Sequence, residues 1–235
     1  MKSFLGKMFF IILLVVAGGC NDSASSNANE KTVSKTTDPT TKTTTTPKAK
    51  KKKNILFFGD SLTAGYGLED PSDSYVGVIQ EILDSLGLEY KAIASGESGE
   101  TSSGGKERID WVLDNYPVDV FILELGANDG LRGIKTEETV KNLKDIFDRV
   151  KERYPQAKLI VAGMLAPPNM GADFTKKFAA IFPNLAKEYN AGLVPFLLEN
   201  VGGIPELNQR DGIHPTPQGH KILAENVWKI LKDVL

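Results

Sequence analysis

Cysteine and histidine are nearly absent from this sequence of 235 residues, which contains one cysteine, Cys20, and two histidines, His214 and His220. A single cysteine cannot form a disulfide within the chain, so the fold has to be stabilised by its core alone. Zinc sites are built mainly from three or four cysteine and histidine side chains, and this chain has too few of them. The sequence therefore predicts neither a disulfide framework nor a metal centre.

The net charge is also small, because 28 basic and 30 acidic side chains leave a formal net charge of −2. The charge is unevenly placed, however, with 10 lysines and only 3 acidic residues in residues 1–53. Residues 54–235 therefore carry a net charge of −9. An acidic domain repels nucleic-acid phosphates instead of displacing their counterions, so nucleic acid is not an expected partner.

The apolar run at residues 8–16 is too short for a permanent membrane-spanning helix, which needs about 20 apolar residues. It follows Lys2 and Lys7 and precedes small residues that end at Cys20. This order is typical of a secretory signal peptide, and the cysteine after the small residues resembles a bacterial lipoprotein signal. The resemblance implies a signal over residues 1–19, lipidation of Cys20 and anchoring in the bacterial cell envelope, at the outer membrane or periplasm in a two-membrane cell. A plain secretory signal is the alternative.

Residues 20–53 contain very few apolar side chains and are rich in serine, threonine, lysine, asparagine and proline. Such a segment cannot bury enough apolar surface to offset the entropy of ordering, so it is predicted to be a disordered linker. Residues 54–235 are then long and apolar enough to form one domain with its own core.

Short apolar runs alternate with longer stretches of helical spacing in residues 54–235. The runs that we interpret as buried strands are residues 55–58, 90–94, 118–125, 158–162 and 192–195. The stretches with helical spacing include residues 75–86, 139–150, 174–189 and 217–235. This alternation predicts an α/β fold with a parallel sheet and helices on both faces.

Polar, glycine-rich segments follow the first three strands, and another precedes the last helical stretch. These segments are residues 59–65, 95–101, 126–130 and 211–215. Ligands of open α/β sheets bind outside the carboxyl ends of the strands, so we expect the four segments to meet at that edge. The sequence thus predicts a functional site there.

Three side chains in these segments could form a nucleophilic triad. Ser61 is a weak nucleophile without an adjacent base, and the chain offers only His214 and His220 for that role. His214 is the better candidate, because His220 falls within a helical stretch and is interpreted as a packing or surface residue. Asp211 lies three residues before His214, close enough to bind its Nδ1–H and leave Nε2 free to accept the serine proton.

Acyl transfer through a serine also needs hydrogen-bond donors at the oxygen that becomes negatively charged. The candidate donors are the backbone N–H groups of Ser61 and Gly99 and the side-chain amide of Asn128. Each residue has a structural alternative, since serine often caps a helix and glycine and asparagine are common in turns. The four segments occurring in one order favour the catalytic interpretation.

Four short motifs together resemble the GDSL or SGNH hydrolase family. They are Gly-Asp-Ser-Leu at 59–62, Gly-Glu-Thr-Ser at 99–102, Gly-Ala-Asn-Asp at 126–129 and Asp-Gly-Ile-His-Pro at 211–215. Within that family, residues 124–133 are similar to the bacterial thioesterase I, lysophospholipase L1 and arylesterase branch. The resemblance covers residues 54–235 and implies a flavodoxin-like three-layer α/β/α fold, the SGNH hydrolase fold, with a five-stranded, mainly parallel sheet.

The family resemblance also implies roles for particular residues. Its four signature residues correspond to Ser61, Gly99, Asn128 and His214, and Asp211 completes the triad. The implied activity is hydrolysis of small-molecule or lipid carboxylic esters and thioesters through an acyl-enzyme on Ser61, without a metal or organic cofactor. Two alternatives stay open: an O-acetylesterase acting on cell-wall or other glycans, and a catalytically inactive envelope binding module.

Overall fold

The computed structural model describes residues 52–235. The predicted signal peptide, Cys20 and nearly all of the predicted linker lie outside these described residues. The first strand begins at Lys53, one residue before the start predicted for the domain. No helix within the described part of the chain combines the length and the apolar character needed to cross a membrane.

Strands and helices alternate throughout residues 52–235. The strands are β1 (Lys53–Gly59), β2 (Tyr90–Gly96), β3 (Val120–Glu124), β4 (Lys158–Ala162) and β5 (Gly192–Val194). The α-helices are α1 (Ser61–Ala64), α2 (Tyr75–Ser85), α3 (Ser102–Asn115), α4 (Ala127–Arg132), α5 (Thr136–Arg153), α6 (Ala172–Ala179), α7 (Ile181–Tyr189) and α8 (Pro217–Leu231). Short 3-10 helices occur at Pro71–Asp73, Pro168–Met170 and Pro205–Leu207.

The sheet has the strand order β2-β1-β3-β4-β5, and all neighbouring strands are parallel. This is the flavodoxin-like order, in agreement with the fold that the family resemblance implied. Because the strands are parallel, their amino ends lie at one edge and their carboxyl ends at the other. Lys53 is therefore at the amino edge, whereas the residues that follow each strand emerge at the carboxyl edge.

Helices cover both faces of the sheet. Phe57 and Phe58 are consecutive in β1 and point to opposite faces. The Phe57 ring packs edge-on against Tyr75 of α2, and the Phe58 ring lies under the guanidinium of Arg108 in α3. Helices α2 and α3 therefore lie on opposite sides, which confirms the predicted three-layer arrangement.

Burial on both faces explains why the strands appear in the sequence as continuous apolar runs. All five residues of β3 are buried, including the polar Glu124 at its carboxyl end. Fully burying an apolar side chain such as Phe121 or Ile122 contributes about 1.5–3 kcal/mol. The central strands thus form a rigid platform beneath the loops at the carboxyl edge.

Helices α3, α6 and α7 differ from the sequence prediction. The predicted stretch 174–189 is divided between α6 and α7, with a break at Ala180. Pro183 has no amide hydrogen, and its ring would clash with the Ala179 carbonyl in an unbroken helix. Helix α3 is not one of the stretches predicted from helical spacing. Small residues such as Ser102 and Gly105 take the place of apolar ones at the start of its buried face. At Gly105 a Cβ atom would lie 2.4 Å from Leu125 Cδ2, so any larger residue would force the buried Leu125 side chain to shift.

Candidate active site

The four polar segments meet at the carboxyl edge of the sheet, as predicted. Ser61 begins α1 directly after β1, Gly99 lies in the loop after β2, and Asn128 belongs to α4, which follows β3. His214 lies in the loop before α8. These four residues line a single cavity of about 740 Å³.

The turn from β1 into α1 exposes Ser61 at the cavity wall. Asp60 caps the helix, because its Oδ1 accepts a hydrogen bond of 3.1 Å from the Leu62 backbone N–H. Gly59 allows α1 to fold back this close to the sheet, since a Cβ there would clash with Thr63 Oγ1 of the helix and with the Glu124 carbonyl oxygen of β3. The local sequence therefore places Ser61 at a helix start without requiring it as the cap.

Ser61, His214 and Asp211 form one hydrogen-bonded line. Ser61 Oγ lies 3.0 Å from His214 Nε2, and His214 Nδ1 lies 2.6 Å from Asp211 Oδ2. The other carboxylate oxygen, Asp211 Oδ1, accepts the backbone N–H groups of Ile213 and His214. The His214 side chain, followed by these two N–H groups, lowers the pKa of Asp211 to about 2. An ionised Asp211 favours the tautomer with hydrogen on Nδ1, which leaves Nε2 to accept from Ser61.

Gln209 holds the loop that carries His214. Its backbone N–H donates to the His214 carbonyl oxygen at 2.7 Å, and its side-chain Nε2 donates to the carbonyls of Tyr66 and Pro215 at 2.8 and 3.0 Å. The Tyr66 ring in turn packs against the imidazole of His214, with 4.6 Å between the ring centroids. Gln209 thus ties the histidine loop to the segment that follows α1. No sequence pattern marks a glutamine in a loop for such a role.

The candidate oxyanion donors are held by partners of their own. Asn128 Nδ2 donates one hydrogen bond of 3.1 Å to Asp60 Oδ2, which leaves its second N–H available. Gly99 has a φ of +79°, in the left-handed region that favours glycine, and its carbonyl accepts from Arg132 Nη2 at 2.8 Å. Burial raises the pKa of the Asp60 carboxyl to about 6, against the opposing effect of its hydrogen bonds from Leu62 and Asn128.

Two further carboxyl groups lie buried beneath the site. Asp129 accepts hydrogen bonds from the backbone N–H and hydroxyl of Ser102 and from the hydroxyl of Thr139, and so joins the starts of α3, α4 and α5. Glu124 Oε2 accepts the Thr63 hydroxyl at 2.6 Å and the Asp60 N–H at 3.3 Å. Burial, followed by the nearby Asp60 carboxyl, raises the pKa of Glu124 well above its usual value. Sequence reasoning found no role for Glu124, because nothing in an apolar run shows which partner its last residue meets.

His220 packs in the core and does not line the cavity. It is buried in α8, its Nδ1 accepts the Tyr75 backbone N–H at 3.2 Å, and its ring stacks on that of Tyr75. Burial lowers the pKa of His220 to about 4. The structure thus supports the choice of His214 over His220.

The buried His220 leads to a prediction about acid stability. A histidine whose pKa falls on folding stabilises the native state above its unfolded pKa of about 6.5, and this contribution is lost as the pH falls towards 4. The variant His220→Asn can still accept from Tyr75 but does not titrate. We expect its free energy of unfolding, measured by urea denaturation from pH 7 to pH 4, to fall less steeply than that of the wild type. Parallel pH profiles would contradict the assignment.

The cavity wall beyond the triad is mostly apolar. The large apolar side chains that line it are Tyr66, Leu131, Met164, Leu165, Pro167, Phe196, Leu198 and Ile213. A volume of about 740 Å³ lies within the range of small-molecule sites. In residues 52–235, no group of three or more histidine, cysteine, aspartate or glutamate side chains is arranged to hold a metal ion.

A flavodoxin-like sheet with a Ser–His–Asp line at its carboxyl edge is the arrangement of a serine hydrolase. The model of the GDSL-like Lipase/Acylhydrolase family matches residues 57–222 of this chain. The chain therefore belongs to this family, as its motifs predicted.

Named relatives support the same branch of the family. The chain is 37% identical to Esterase TesA of Pseudomonas aeruginosa, over 77% of this chain and 89% of that protein. It is 32% identical to Thioesterase 1/protease 1/lysophospholipase L1 of Escherichia coli, over 77% and 84% of the two chains. The crystal structure of AlinE4, an SGNH-hydrolase family esterase, is 41% identical and superposes with a TM-score of 0.64, over 78% of this chain and 97% of that one.

Proposed function

We propose that this protein is a serine esterase that hydrolyses carboxylic esters or thioesters through an acyl-enzyme on Ser61. The observation that carries the proposal is the hydrogen-bonded line from Ser61 through His214 to Asp211 at the wall of an apolar cavity. The activities in the names of the relatives, esterase and thioesterase, agree with this chemistry.

In the first half-reaction, Ser61 Oγ attacks the acyl carbon while His214 Nε2 accepts the hydroxyl proton. The carbonyl electron pair moves to the oxygen, and Asp211 stabilises the imidazolium that forms. When the tetrahedral intermediate collapses, His214 gives its proton to the departing alcohol or thiol. Water then repeats the sequence on the acyl-enzyme, which releases the acid and restores the serine.

The negative charge on the carbonyl oxygen is stabilised by the N–H groups of Ser61 and Gly99 and by the free N–H of Asn128. Asp60 supports this role, because it holds the other hydrogen of the Asn128 amide and so fixes the plane of that group. The donors are already oriented before substrate binds, so they need little reorganisation during the reaction.

The variant Asn128→Ala is expected to lower kcat by about 10²–10³, the usual effect of removing one oxyanion donor. The KM should change much less, since this hydrogen bond strengthens only as the charge develops. Steady-state hydrolysis of p-nitrophenyl butyrate measures both constants. Asn115→Ala is a matched control, because Asn115 bonds only the Trp111 carbonyl at the far end of α3. A kcat for Asn128→Ala within threefold of the wild type would remove Asn128 from the proposed site.

The apolar wall of the cavity favours esters with an apolar acyl or leaving group. A panel of p-nitrophenyl acetate, butyrate and octanoate, acyl-CoA, a lysophospholipid and O-acetylated glycans tests this substrate class. Hydrolysis confined to the acetylated glycans would favour the O-acetylesterase alternative. A fluorophosphonate probe that leaves Ser61 unlabelled in the folded protein would instead indicate an inactive binding module.

We also propose that the protein is anchored in the bacterial cell envelope through a lipid on Cys20. The small residues before Cys20 and the apolar run before them support this proposal. In bacteria fed radioactive palmitate, the wild type should incorporate the label and sediment with membranes, and Cys20→Ala should do neither. Equal labelling of the two proteins would contradict it.

A further inference from the structure

The loop between β2 and α3 carries Gly99 on a tight turn. The Glu100 backbone N–H donates to the Glu97 carbonyl oxygen at 3.1 Å, and Gly99 is the third residue of this four-residue turn. A positive φ at that position is the type II pattern. The direction of the Gly99 N–H therefore depends on how the turn is held against the end of β1, where Ser61 begins α1.

Arg108 holds the turn from its buried side. Its Nε and Nη2 donate to the two carboxylate oxygens of Glu100 at 2.6 and 2.7 Å. Its Nη1 donates to Ser95 Oγ at 2.9 Å, and the second hydrogen of Nη2 is shared between the carbonyls of Ser95 and Gly59, whose oxygens lie 3.0 and 3.1 Å from that nitrogen. One guanidinium thus joins the carboxyl ends of β1 and β2 to the residue after Gly99.

The surroundings of Arg108 make this arrangement stiff. The Glu100 side chain is only 6% exposed, and the guanidinium carbon lies 4.0 Å from the centre of the Phe58 ring. A two-pronged arginine–carboxylate pair fixes the relative orientation of both groups, whereas a lysine ammonium offers one point of charge. By comparison, the pair between Arg149 of α5 and Asp110 of α3 is more exposed and lies away from the turn.

From this geometry we propose that Arg108, acting through Glu100, is a positioning residue for the oxyanion hole. It sets the separation of the two backbone donors, since it binds the Gly59 carbonyl two residues before Ser61 and the carboxylate next to Gly99. Arg108 contacts no reacting atom. The inference rests on the proposed esterase function and adds to it the group that aligns the Gly99 N–H with that of Ser61.

The test compares Arg108→Met, Arg108→Lys and Glu100→Gln with the wild type. We expect kcat for p-nitrophenyl butyrate to fall about 10- to 100-fold in Arg108→Met, the size of effect that a small misplacement causes. The KM should stay within about twofold, because the ground-state ester depends little on the oxyanion donors. The inhibition constant of butylboronic acid, which forms a tetrahedral adduct on the serine, should rise by the same factor as kcat falls.

The matched control is Arg149→Met, which removes a guanidinium of α5 that pairs with Asp110 of α3, the helix that carries Arg108. Its kcat and boronate affinity should remain within about twofold of the wild type, and Arg108→Lys should not recover the loss. A merely structural role for Arg108 predicts fewer folded molecules, titratable with a fluorophosphonate, at unchanged kcat per active site.

Each result decides the inference. A folded Arg108→Met with wild-type kcat and boronate affinity, or with the loss confined to KM, would overturn it. Should Arg108→Met not fold, the same split between kcat and KM in Glu100→Gln supports the inference, and wild-type kcat in that variant overturns it. A wild-type protein that neither hydrolyses esters nor reacts with the fluorophosphonate would overturn the proposed function and this inference together.

Discussion

The substitution Ser61→Ala is expected to lower kcat for ester hydrolysis by about 10⁶, since loss of the nucleophile in serine hydrolases has an effect of that order. The hydroxyl forms the acyl-enzyme, and no other side chain in the line can replace it. The fold should persist, because α1 is capped by Asp60 and the hydroxyl is only half-buried. The measurement is hydrolysis of p-nitrophenyl butyrate, with circular dichroism to confirm folding.

A matched control is Ser103→Ala, which removes the hydroxyl of an exposed serine on α3 and should leave kcat unchanged. The double variant of Ser61→Ala with His214→Ala should be about as slow as either single variant, because the two residues act as one unit. If Ser61→Ala retained more than about a tenth of wild-type activity, another residue would have to be the nucleophile.

The substitution Asp211→Asn is expected to lower kcat by about 10⁴, the effect of the same change in a serine protease triad. Asp211 is ionised throughout the neutral range, because its pKa is about 2. A neutral amide can still accept the backbone N–H of Ile213, so the loop should keep its shape. It cannot stabilise the imidazolium, and it allows the tautomer in which Nε2 of His214 has no free electron pair for the serine proton.

Steady-state kinetics with p-nitrophenyl butyrate measure this loss, and fluorophosphonate labelling of Ser61 should slow in parallel. Asp233→Asn, at an exposed position after α8, is the control and should react like the wild type. A decrease in kcat of less than tenfold in Asp211→Asn would show that His214 is oriented by other groups, such as Gln209 and Tyr66.

The sequence predicted the framework of this protein well because both faces of the sheet are buried. Strand β4 begins and ends where its apolar run does, at Lys158 and Ala162. The start of helix α3 gives no apolar spacing in the sequence, because Gly105 takes the place of an apolar residue at its contact with the sheet. The break between α6 and α7 follows from Pro183, whose effect depends on which turn of a helix it occupies.

That Ser61, Gly99, Asn128 and His214 meet at one site could be predicted, because each stands in a polar segment directly after a buried run or before the last helix. The residues that hold them could not. Arg108, Gln209 and Glu124 act through contacts with distant parts of the chain, and neither helical nor strand spacing records such contacts. A lone arginine in a polar helix is most often solvated, and only coordinates show that this one reaches two strand ends.

The chain enters the domain at one edge of the sheet, and Ser61 lies at the opposite edge. Lys53 starts β1 at the amino edge of the sheet, and seven residues of extended strand separate it from Gly59 beside the cavity, a span of about 20 Å. An N-terminal anchor, as we propose, would therefore attach at the edge of the sheet opposite the cavity, so the attachment itself would not restrict the access of esters to Ser61.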